Sequence, residues 1–185
     1  MPSRWKLFIF ITLLSLVLDQ ASKYWARNSL PKEGPDCSEI PAKIEQHKCF
    51  GKPVPVIDGY WDWRLSMNPG SAFGLFNTLP GGRALLTLVG VIAVLAIGVM
   101  VRRAKDHQRW LILALALVAG GAVGNLIDRV YFGVVTDFVL WRYKEHEWPV
   151  FNVADVVLVI GVAILILDLG KDNKKGKTPA KPAAA

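Results

Sequence analysis

Only three histidines and two cysteines occur among the 185 residues, and their scarcity removes several chemistries at once. His47 and His146 fall in polar loop sequence, and His107 sits in a short basic connection, so none is placed as a buried general base. No serine is matched with a lysine or histidine in positions that suit nucleophilic catalysis. The glycines form neither a phosphate-binding loop nor a dinucleotide fingerprint. Cys37, Cys49 and His47 are too few for a zinc site, and their spacing matches no familiar one. No metal or cofactor is therefore expected. There is also no internal repeat and no stretch long enough for a second sizeable soluble core.

What the chain has in abundance is apolar sequence, 52% of its residues, arranged in long runs. Residues 5–25, 84–101, 110–127 and 151–169 each approach the roughly 17–25 apolar residues that cross a bilayer. Arg4 and Lys6 before the first run also suit a cleavable secretory signal. That run, however, continues into Asp19-Gln20-Ala21-Ser22-Lys23-Tyr24-Trp25 without a clean small-x-small cleavage site, so it reads as a retained helix.

The charges are segregated. Arg4 and Lys6, then Arg102, Arg103, Lys105 and Arg109, then Lys171, Lys174, Lys175, Lys177 and Lys181 all fall on one side if there are four crossings. An excess of lysine and arginine marks the cytoplasmic side, so both termini are expected there, and residues 26–83 and 128–150 face outward. The net charge of +7 is thus an orientation signal and carries no suggestion of nucleic acid. Cys37 and Cys49 share the first outward segment, where an oxidising compartment favours a disulfide; two free thiols are the alternative.

The expected fold is all-α and membrane-embedded: a single four-helix domain over residues 1–170, with an irregular excursion at about 31–52 and a disordered basic cytoplasmic tail at 171–185. Residues 54–67 are rich in Val, Ile, Trp and Tyr between Pro and Gly, which predicts a small outward sheet. Residues 141–148, charged and aromatic, read as a surface helix or loop on the membrane.

Polar residues inside this apolar framework collect at one level. Helix one runs outward and carries Asp19 and Lys23 at i, i+4 near its outer end, where they neutralise each other as a structural pair. The third helix also runs outward and ends with Asn125, Asp128 and Arg129 on one face. The fourth runs inward and begins with Asn152 and Asp155, i+3 apart, while Asp137 lies between the two helices. Singly, each has a plain structural reading: helix ends satisfied by asparagine, a dipole-favoured Asp155, a solvated Asp137, an Arg129 lipid anchor. Gly120 and Gly124 have the spacing of close helix packing. Together, so many polar groups at one outer locus exceed what anchoring needs. Two aspartates held close share one proton, and such a pair can activate water and protonate a leaving group.

At these residues the chain resembles the lipoprotein signal peptidase (signal peptidase II) family of bacterial membrane aspartic endopeptidases. The resemblance rests on five ordered motifs covering most of the chain. They are Leu18-Asp19-Gln20-Ala21-Ser22-Lys23, Asn68-Pro69-Gly70-Ser71-Ala72-Phe73-Gly74, the Gly120 to Arg129 run, Val135-Thr136-Asp137-Phe138, and Trp148-Pro149-Val150-Phe151-Asn152-Val153-Ala154-Asp155. It implies four transmembrane helices with a small periplasmic β-cradle in the bacterial inner membrane. It implies Asp137 and Asp155 as the catalytic dyad, cleaving just before the diacylglyceryl-modified cysteine of a prolipoprotein. Asn68, Gly70, Asn125, Asp128, Arg129, Asn152 and Ala154 would line or support the site, and the cyclic peptide globomycin would inhibit it. A monomer, with lipid and prolipoprotein as partners, is the expectation. Pro69 inside the second motif and the excursion at 31–52 depart from the pattern. An ion-coupled carrier would instead place its acids near mid-membrane on broken helices within repeats, and a membrane scaffold would leave them replaceable.

Overall fold

The computed structural model describes residues 1–33, 51–69 and 82–175. Cys37, Cys49, Gly70 and residues 176–185 lie outside them, and with them the disulfide, most of the excursion and most of the tail.

Among the described residues, four helices and four strands follow one another as α1 (Ser3–Ser29), β1 (Val54–Ile57), β2 (Trp61–Asn68), α2 (Gly82–Arg103), α3 (Arg109–Tyr131), β3 (Val135–Tyr143), β4 (His146–Glu147) and α4 (Val153–Lys175). Local chemistry sets several boundaries. α1 stops where Leu30 turns extended (φ −83°, ψ 146°), as a residue before proline must when it leaves the helical region. α2 ends on Arg102 and Arg103, cations at the negative end of its dipole. α4 opens with a reciprocal cap. Asp155 N–H donates to Asn152 Oδ1 at 3.0 Å, and Asn152 N–H donates to Asp155 Oδ2 at 3.2 Å.

α3 packs against each of the other three helices. Its Gly-x-x-x-Gly pair lies against α1: a Cβ on Gly120 would come within 2.6 Å of Ser15 Cβ, and one on Gly124 would run into the Asp19 carboxylate. The spacing therefore does what close packing needs. α1, α3 and α2 from Ala84 onward are long and apolar enough to cross a membrane. Leu88, Ile92 and Leu95 of α2, and Val159 and Ile166 of α4, point their side chains outward, away from any protein core.

The sheet expected over 54–67 is present as β1 and β2, and it is larger than the sequence suggested. Its order is β1-β2-β3-β4, antiparallel throughout. Residues 141–148, expected as a surface helix or loop, are instead a hairpin: the end of β3 turns at Lys144 (φ 53°) into β4. Isolated from β2 this stretch looks amphiphilic. Paired with it, the backbone groups of Trp61, Asp62 and Trp63 are satisfied by Trp141, Leu140 and Val139. Asp137 consequently belongs to a strand and not to a loop. Leu65, Met67, Val134 and Phe138 form a core with Ala26 and Leu30, which seats the sheet on the C-terminal end of α1. At the opposite end, Arg4 Nη1 meets Asp106 Oδ1 at 3.1 Å, joining the start of α1 to the α2–α3 connection.

Candidate active site

Beneath the sheet lies a buried ionic cluster. Lys23, with no solvent exposure, places Nζ 2.9 Å from Asp19 Oδ2 and 3.5 Å from Asp128 Oδ2. Arg27 Nη1 lies 3.6 Å from Asp128 Oδ1 and donates to Thr136 Oγ1 at 2.8 Å. Backbone donors also reach the carboxylates, Ala154 N–H to Asp19 Oδ1 at 2.9 Å and Thr136 N–H, at 2.8 Å, to the same Asp128 Oδ2 that faces Lys23. Two acids and two bases cancel, and hydrogen bonds from α4 and β3 satisfy one oxygen of each acid, while Asp128 Oδ1 faces the Arg27 guanidinium. The cluster thereby fastens α1, α3, β3 and α4 to one another.

Asp128 and Ala154, expected to line or support the site, are part of this scaffold. Both are fully buried, and neither lines the cavity described next. Arg27 and Thr136 were not anticipated. Arg27 was findable, since it lies four residues after Lys23 and so on the same helical face; Thr136 needed the β3 pairing to be placed.

Above the cluster, Asp137 and Asp155 are joined by asparagines. Asp137 Oδ1 accepts from Asn152 Nδ2 at 2.7 Å, and its Oδ2 accepts from Asn68 Nδ2 at 3.0 Å. Asp155 Oδ1 accepts from Asn125 Nδ2 at 2.9 Å, and its Oδ2 accepts the Asn152 N–H. Asn152 thus touches both carboxylates. Pro69 does not prevent Asn68 from reaching the site, because β2 runs through Asn68 and its register with β3 fixes the side chain before the proline.

Both acids open onto a cavity of about 420 Å³. Asn68, Asn125, Arg129, Asp137 and Asp155 supply its polar wall, and Trp148, Pro149, Val150, Phe151, Leu158 and Val159 its apolar one. Arg129 Nη1 donates to Asn125 O at 3.3 Å, so its guanidinium is held at the cavity edge. Asp137 is only 3% exposed. Burial above all, and then the negative charge of Asp155, push its carboxyl up to about 8, against the opposing pull of the Asn68 and Asn152 hydrogen bonds and the Lys23 ammonium. Near neutral pH, Asp137 therefore holds a proton while facing a second acid across a half-apolar, half-polar cavity. That arrangement suits acid–base chemistry on a bond delivered from an apolar phase.

Known proteins resemble this chain along most of its length. The family described as signal peptidase (SPase) II matches residues 11–171. A lipoprotein signal peptidase of Geobacter metallireducens is 34% identical over 95% of this chain and 97% of its own length. That of Pseudomonas putida is 35% identical over 93% of this chain and 91% of its own, and that of Xanthomonas euvesicatoria 37% over 92% and 89%. Two solved structures described as a bacterial membrane enzyme superpose closely. One has a TM-score of 0.73 at 25% identity, covering 96% of this chain and 93% of that one. The other has a TM-score of 0.67 at 27% identity, covering 89% and 93%. The chain belongs to the signal peptidase II family.

Proposed function

We propose that this protein is an aspartic endopeptidase of the bacterial inner membrane that removes the signal peptide from lipid-modified prolipoproteins, cutting on the N-terminal side of the lipidated cysteine. The observation that carries the reading is the linkage of Asp137 and Asp155 through Asn152 at one cavity. In this mechanism the Asp155 carboxylate takes a proton from water, and the resulting hydroxide attacks the scissile carbonyl carbon. Asp137 gives its proton to the carbonyl oxygen. As the tetrahedral intermediate collapses, Asp155 gives its proton to the departing nitrogen, Asp137 takes back a hydroxyl proton, the C–N bond breaks, and the new carboxyl of the signal peptide ionises to the medium. Each proton transfer by a positioned group contributes about 10²–10⁴-fold to the rate. No metal or cofactor takes part.

The setting is α4 as a fourth membrane span, both termini cytoplasmic, and the sheet with its cavity on the periplasmic side. Basic residues at the Arg4–Asp106 end support that orientation. The apolar cavity wall and the outward-facing side chains of α4 suit a substrate that arrives with its own transmembrane helix and acyl chains. Globomycin, a cyclic peptide, would compete for the same cavity, where Asn68 forms part of the polar wall, and the enzyme would act as a monomer.

The test is incubation of the purified protein with diacylglyceryl-modified prolipoprotein, followed by mass measurement of the products. Asp137→Asn and Asp155→Asn should each lower turnover by about 10³-fold or more while still inserting and accumulating. Turnover near the unsubstituted level in either variant removes the dyad assignment.

A further inference from the structure

Lys23 lies on α1, outside the cavity, yet its contacts lead to both acids. Besides its ion pairs, Nζ donates to Asn125 Oδ1 at 2.9 Å. An ammonium has donors only, so the atom of Asn125 that faces it must be the carbonyl oxygen. The amide nitrogen is then left pointing at Asp155 Oδ1, 2.9 Å away. The constraint passes onward. Asn125 Oδ1 also receives Asn152 Nδ2 at 3.2 Å, and that same nitrogen donates to Asp137 Oδ1 at 2.7 Å. The oxygen of Asn152 is then free to cap Asp155 N–H at 3.0 Å.

Asn152 is already oriented by the Asp155 N–H that its oxygen accepts, but without a fixed cation Asn125 can flip and present its oxygen to Asp155. With it, both carboxylates meet donors. We propose that Lys23 is a positioning residue which locks the Asn125 amide in the orientation that turns its nitrogen to Asp155 and its oxygen to Asn152, and so holds Asp155 in register with Asp137. Charge balance in the cluster is a separate duty, shared with Arg27 and with the backbone donors of Ala154 and Thr136. The bond to Asn125 is the direct link from Lys23 to the dyad's hydrogen bonds. This inference rests on the reading of Asp137 and Asp155 as the catalytic pair.

A double-mutant cycle tests it. Lys23→Met, Asn125→Leu and the double variant are purified at full length and assayed on lipid-modified prolipoprotein in single-turnover and steady-state reactions, with thermal unfolding as the separate readout of the fold. Lys23→Met should lower the maximal rate roughly 100-fold with KM within about threefold of the unsubstituted enzyme. On the Asn125→Leu background the same substitution should cost less than about threefold more, because its hydrogen-bonded route to Asp155 is already cut and only its charge still acts on Asp137. A merely structural lysine would lower the rate by the same factor in both backgrounds, and that result, or an unchanged rate in Lys23→Met, overturns the proposal. Should Lys23→Met fail to accumulate, the cycle is run on the Asp128→Asn background, where one lost cation is matched by one lost anion. Activity in Asp137→Asn would sink the dyad reading itself, a failure distinct from an additive cycle.

Discussion

At the scale of single residues, the pair of acids is differentiated by surroundings and not by type. Asp137 is packed on a strand under the sheet, whereas Asp155 stands in the first turn of α4 facing the cavity. Because the raised carboxyl of Asp137 loses its proton near pH 8, cleavage should fall as pH rises through about 8, which a rate–pH profile at saturating substrate would show. Asn68 opposes that shift by donating to the charged form, so Asn68→Ala should move the alkaline limb to higher pH in the same assay. The linked effect on stability has a definite sign. Between the ordinary value of 3.8 and about 8 the folded chain holds a proton that the unfolded chain has released, so stability declines as pH rises through that window. Asp137→Asn, which cannot titrate, should flatten this decline, as measured by thermal unfolding in detergent across pH. On the proposed mechanism the same substitution should remove activity, so a group kept in a costly state for chemistry would be visible as a conflict between function and stability.

The elements meet through small residues and a neutral ionic knot. α3 approaches α1 closely enough that Gly124 has no room for a side chain beside Asp19. Gly124→Val should therefore push the two helices apart, costing about 1–3 kcal/mol or more in stability and displacing the Asp19–Lys23 pair. Gly98, near the C-terminal end of α2 with open space around it, offers the control: Gly98→Ala should leave the unfolding temperature unchanged or slightly raised. Periodicity alone located the helices and the polar face of α3, because a helix sets its own side-chain directions from local sequence. The hairpin of β3 and β4 was not legible in the same way. Residues 135–141 of β3 acquire strand geometry by pairing with β2, some seventy positions earlier, a partner that no local pattern announces, and β4 then pairs back on the end of β3.

Taken whole, the molecule has two unlike ends. One carries the sheet, the ionic cluster and the cavity, and the other gathers Arg4, Arg102, Arg103, Lys105 and Arg109 around the α2–α3 connection. A bilayer between these ends predicts opposite accessibility for Lys144 and Lys105. In a Cys37→Ser, Cys49→Ser background, Lys144→Cys should react with an impermeant thiol reagent in intact spheroplasts. Lys105→Cys should react only after permeabilisation. Labelling of both from outside would contradict the orientation.

Composition and spacing by themselves determined the apolar spans, their charge bias and the gathering of Asp19, Lys23, Asn125, Asp137, Asn152 and Asp155 at one level, since these follow from helix period and the cost of burying charge. They did not separate scaffold from site. Asp128 and Asp155 look alike in sequence, each three residues after an asparagine, yet one is buried in an ion cluster and the other faces a cavity. That division was made by tertiary structure, because it depends on which neighbour from a distant segment arrives to satisfy each carboxylate: Arg27 and the Thr136 backbone for one, Asn125 and open space for the other.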